Sequence, residues 1–137
     1  MINHYELSEN KKLIDGIEFT QLRLKKDTHF GNNGDLHGWV EKLENVSDDA
    51  RVSGDARVYG DARVSGNAWV SSPFQLQGSM HFVNECKKGF LKIGCHEYDF
   101  NYWVENFERI GRENNYNQKQ INEYKLYIDL AISLSKL

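Results

Sequence analysis

Apolar positions recur with a period of six through the middle of the chain. The stretch from Asp49 to Val70 reads DARVSGDARVYGDARVSGNAWV. Valine returns at Val40, Val46, Val52, Val58, Val64 and Val70, and alanine stands two residues before each of the last four, at Ala50, Ala56, Ala62 and Ala68. Side chains two apart on a strand share a face, so each Ala-x-Val is a three-residue strand with its middle residue turned outward. Gly with Asp or Asn between these strands suits sharp corners. The same frame runs on through Phe74 and Leu76, then Met80 and Phe82, with larger inward residues. Before the repeat, Gly38-Trp39-Val40 fits the frame, whereas Glu44 ahead of Val46 does not and marks an irregular turn.

The flanks carry other periods. Asp15-Gly16 lies between Leu13-Ile14 and the alternating run Ile17, Phe19, Leu22, Leu24. An Asp-Gly pair between strand-like runs predicts a β-hairpin. Beyond His96 the period becomes helical. Trp103, Phe107 and Ile110 fall on one helix face, with Asp99 as its N-cap and Gly111 near its end. A second helix of about 18 residues starts at Asn117, whose capping-box partner is Gln120. At 100° per residue, Leu126, Leu130, Leu134 and Leu137 lie on one side of that helix. Ile121, Tyr124, Ile128 and Ile132 lie roughly opposite, so the helix is apolar on more faces than one packing surface needs. Either all of it is buried within its own subunit, or part of it meets another chain. Three regions result: a hairpin cap over 1–30, a solenoid over 31–95 and a helical hairpin over 96–137.

An aliphatic residue every six positions, with a small residue four after it, resembles the hexapeptide repeat of left-handed parallel β-helices. The resemblance implies a mainly β fold: a short left-handed solenoid with an N-terminal hairpin cap and a C-terminal helical hairpin. Such helices take three hexads per turn, so residues 18 apart should stack. Val46, Val64 and Phe82 would form one inward column, with Val52 under Val70, Val58 under Leu76 and Ala50 under Ala68. Arg51, Arg57 and Arg63 would then point to three faces and form no basic stripe, with Arg51 placed to stack on Trp69. The segment Gly34-Asp35-Leu36-His37-Gly38-Trp39-Val40-Glu41, followed by hexads, is similar to the opening of a family of small phage and prophage proteins. His37 departs from that family's motif. Distantly, the repeat is also similar to hexapeptide acyltransferases, which are trimers that bind acetyl-CoA between coils and use a histidine base.

Composition narrows the function. The chain has 137 residues and a net charge of −3, too acidic for a dedicated nucleic-acid binder. Its two cysteines, Cys86 and Cys95, have no zinc-ligand spacing and read as buried core thiols. No signal-like or membrane-spanning run is evident, so a cytoplasmic protein is expected, in a host cell's cytoplasm if phage-encoded. No cofactor or metal motif appears. His37, at the junction of loop and repeat, is the one weak candidate for a catalytic base, and the chain reads as non-enzymatic. The expectation is an interaction protein that forms a dimer or trimer and binds a host protein, as an inhibitor of a host defence system. The alternatives are a ligand or nucleotide sponge at a subunit interface, and a minimal CoA-using acyltransferase. Candidate interaction residues are Tyr59, Trp69, Tyr98, Tyr102, Tyr116, Tyr124, Tyr127, Ile128, Leu130 and Leu134, since aromatic and apolar anchors dominate interfaces.

Overall fold

The computed structural model describes residues 4–47, 50–66 and 68–137. The chain is β-rich with two helices and divides into two compact units, Met1–Pro73 and Phe74–Leu137.

In the first unit, strands β1 (Tyr5–Ile14) and β2 (Ile17–Leu24) form the expected hairpin. Asp15 and Gly16 both take positive φ, 51° and 81°, as a tight hairpin turn requires. The hairpin is not a separate cap over 1–30. β2 also pairs antiparallel with β3 (Leu36–Val40), and β3 pairs parallel with β5 (Arg57–Val58), so hairpin and repeat share one sheet. Phe19, Leu22 and Leu24 of β2 are buried with Val40 and Val58.

The repeat pairs in parallel at the expected offset on two of its sides. Val40 lies beside Val58, and Val46 beside Val64, each eighteen residues on. Gly54, Gly60 and Gly66 turn its corners with φ of 61°, 58° and 71°, a region open to glycine and costly for residues bearing Cβ. The irregular turn at Glu44 is a 3-10 turn over Leu43–Asn45. Asn45 is fully buried there. Its amide donates to Gly60 O and Ala62 O, and its side-chain oxygen accepts from the Lys42 backbone N–H. These bonds satisfy corner carbonyls that no strand partner reaches.

On the third side the register slips. β4 (Arg51–Val52) pairs with β6 (Ala68–Trp69), so Val52 lies beside Trp69, seventeen residues on, and Arg51 beside Ala68. A slip of one residue exchanges the two faces of a strand. Trp69 is therefore inside, at 8% exposure, and Val70 is outside, at 76%. Both the stacking of Val52 on Val70 and that of Ala50 on Ala68 are overturned, because the indole takes the inward place. Arg51 accordingly lies over the Phe30 ring, 5.1 Å from its centroid, and Arg57 lies over Phe19.

The solenoid expected to residue 95 does not extend past the first unit. From Gln75 onward the strands are antiparallel: β7 (Gln75–Gln77), β8 (Phe82–Lys87), β9 (Phe90–Ile93) and β10 (His96–Asp99), in the order β10-β9-β8-β7. Leu76 pairs with Val83 rather than stacking over Val58, and Phe82 pairs with Gln77 rather than closing the Val46–Val64 column. Against this sheet pack helices α1 (Phe100–Glu113) and α2 (Gln118–Ser135). Asp99 caps α1 by accepting from Tyr102 N–H, and Asn117 with Gln120 forms the capping box of α2. The core of this unit joins Val83, Leu91 and Ile93 to Trp103, Ile110, Ile121, Tyr124 and Ile128. Trp103 donates its indole N–H to Leu91 O at 2.7 Å, tying α1 to β9.

Candidate functional site

In the first unit, three aromatic rings and an arginine gather around His37. The hydroxyl of buried Tyr5 lies 2.7 Å from His37 Nδ1 and accepts from Val52 N–H at 3.2 Å. His4 Nε2 lies 2.9 Å from Ala50 O. Phe30 sits edge-on to both His4 and His37, with Arg51 over its face. Burial holds the His37 imidazole below its ordinary range; nearby Asp35 opposes this and His4 adds to it. Burial also pushes the Tyr5 hydroxyl up to about 12, so it stays protonated. The Nδ1 position of the one candidate base is thus taken up by a tyrosine that also fastens β4. That arrangement orders a strand, and Tyr5 and His4, which do the fastening, carried no sequence signal beyond their apolar setting.

The interaction candidates divide by burial. Trp69, Tyr116, Tyr124 and Ile128 are core residues, which removes them from any ready-made surface. The Trp69 indole N–H has no hydrogen-bond partner among the described residues. The Tyr124 hydroxyl accepts from the backbone N–H groups of Met80 and His81, at 2.9 and 2.6 Å, and donates to His81 O. Tyr59 and Tyr98 are half-buried, Tyr98 stacking on Tyr102. Tyr127 donates to Glu123, which also receives the Ser79 backbone N–H and hydroxyl.

What remains exposed is the leucine side of α2. Leu126, Leu130 and Leu134 are 68%, 46% and 43% exposed, and Leu137 follows them on the same side. The opposite side, Ile121, Tyr124, Ile128 and Ala131, faces the core. The helix is therefore not wholly buried within its own subunit. Lys125 and Asp129 flank the stripe and pair with each other at 3.4 Å.

Cys86 is buried as expected, and burial with Glu97 beside it pushes its thiol up to about 12, which makes it unreactive. Cys95 is exposed, contrary to expectation, because it sits in the turn between β9 and β10. Among the described residues no group of three or more His, Cys, Asp or Glu side chains is placed to hold a metal ion. Among the described residues no helix is long and apolar enough to cross a membrane.

Residues 56–72 match the family model of the YdcK beta solenoid repeat. The matched stretch begins at Ala56, spans Val58 and Val64 of the parallel pairs, and ends just past Trp69. The chain matches no curated protein and no solved structure.

Proposed function

We propose that this chain is a self-associating, non-catalytic interaction protein whose second unit pairs with a second copy of itself through α2. The observation that carries the reading is the exposed triplet Leu126, Leu130 and Leu134 on a capped, otherwise core-packed helix. The triplet is symmetric about its middle member. If two α2 helices cross antiparallel on a two-fold axis at Leu130, each Leu126 meets the partner's Leu134. A two-fold interface must be self-complementary in this way. Each leucine withdrawn from water contributes up to about 1.5–3 kcal/mol. The Lys125–Asp129 pair beside the stripe is already neutralised within its own helix.

The hexads and the match over residues 56–72 support a solenoid scaffold in the first unit, and we read it as the left-handed kind. The Gly34–Glu41 motif supports kinship with small phage-type solenoid proteins, for which a host protein is the natural partner. In this reading the dimer carries two solenoid units for that partner. The engagement of His37 by Tyr5 favours this over an acyltransferase.

Light scattering on a sizing column tests the core of the reading. The expected mass is twice the 16.0 kDa of the chain, falling to one chain in Leu130→Glu with unchanged circular dichroism. A native chain that runs as a monomer at micromolar concentration overturns it, and so does a Leu130→Glu variant that stays dimeric.

A further inference from the structure

The second unit holds a cavity of about 50 Å³ between the sheet and the two helices. Ile93, Trp103, Ile110 and Ile128 line it, together with His81 and Asn114. None of the residues lining it is an aspartate, glutamate, lysine or arginine. An unpaired ion in such a place would lose its hydration without compensation. At roughly 10–15 Å³ per water, the cavity has room for about four water-sized groups.

The polar side chains that line it are His81, His96, Cys95, Asn114, Tyr116 and Tyr124, and they include a donor and an acceptor. The proton of Tyr124 goes to His81 O, and the Tyr116 hydroxyl lies 2.5 Å from His81 Nδ1. When Tyr116 donates to Nδ1, the imidazole carries its proton on Nε2 and presents a donor. The Asn114 amide donates to Ile110 O at 2.8 Å, which leaves its side-chain oxygen as a free acceptor. His81 is held at the wall because residue 94 is glycine; a Cβ there would stand 3.0 Å from its ring.

We propose that this cavity binds a small uncharged organic molecule, with a compact branched apolar body and one head that both donates and accepts a hydrogen bond. A short branched alcohol has that chemistry: its body replaces missing packing among the isoleucines, and its hydroxyl meets His81 and Asn114. The site lies on the core side of α2, opposite the leucine stripe, and does not depend on self-association.

The test is a methyl NMR titration of the full chain labelled at isoleucine, using isobutanol and its charged counterpart isobutyrate. Isobutanol should move the methyl signals of Ile93, Ile110 and Ile128 saturably, with isobutyrate at least tenfold weaker. Phe107 also lines the cavity and is only half-buried, so Phe107→Ala should enlarge the site without unfolding the unit. That variant should gain saturable binding of phenol, which the native chain excludes. Ile128→Phe, if it folds, should abolish the isobutanol shifts. No saturable shift with isobutanol would mean a packing void and would overturn the proposal. Isobutyrate binding as tightly as isobutanol would overturn it too, by making the site an anion site.

Discussion

The two units bury apolar surface by opposite means. In the first, small residues repeat: Ala50, Ala56 and Ala62 with Val52, Val58 and Val64 are all buried, and backbone corners come close enough for Asn45 to bond two of their carbonyls at once. In the second, large irregular residues do the work, with Trp103, Tyr116 and Tyr124 filling the space between sheet and helices. Small side chains on a regular backbone pack without gaps, but leave interior polar groups that must be satisfied one by one. Large rings supply more buried area per residue and fit less completely, and the cavity beside Trp103 lies in that unit. The first unit should therefore be most sensitive to lost hydrogen bonds, and the second to lost volume.

The largest expected effect is Trp103→Ala. It removes a buried indole and its bond to Leu91 O, and should cost about 3–5 kcal/mol. Urea unfolding should show the loss in the transition of the second unit and little change in that of the first. A uniform shift of both would break the contrast. Next is Asn45→Ala, which orphans two carbonyls and the Lys42 N–H, at about 1–3 kcal/mol in the first unit. A loss below about 0.5 kcal/mol would show that water satisfies those corners. Trp69→Phe should stay within about 1 kcal/mol of the native chain, because the lost area is offset by removing an unpaired buried N–H. The smallest effect concerns pH. Burial lowers the His37 pKa, so its contribution is complete above the unfolded value of 6.5 and is lost as pH falls through the folded one. The melting temperature of the first unit should decline as pH drops below that value, and His37→Gln should flatten the decline.

Much of this architecture could be read from the letters because single residues force it. Asp15-Gly16 needs positive φ at two successive positions, the hexad glycines need it at every corner, and Asn117 with Gln120 satisfies two orphan amides reciprocally. The end of the repeat was not legible. Phe74 with Leu76, and Met80 with Phe82, keep the same alternation in a parallel rung and in an antiparallel strand, so spacing cannot tell the two apart. What decides is pairing: Leu76 finds Val83 across a hairpin, and β9 and β10 extend that sheet. The slip at Trp69 was invisible for a related reason, since an Ala-Trp-Val triplet fits either face until the partner strand chooses. The leucine stripe of α2 stood out from helical spacing alone. The cavity did not, because its walls come from β9, α1 and α2, and no local pattern joins Ile93 to Ile128.

The slipped pair of Val52 and Trp69 also bears on how such a chain can change length. A tandem duplication of one full turn, inserted between Gly54 and Asp55, would copy an in-register step and add one storey. The same duplication placed after Val70 would start from the slipped pair of Val52 and Trp69 instead of an in-register one. Trp69 thus acts as a terminator of growth by copying.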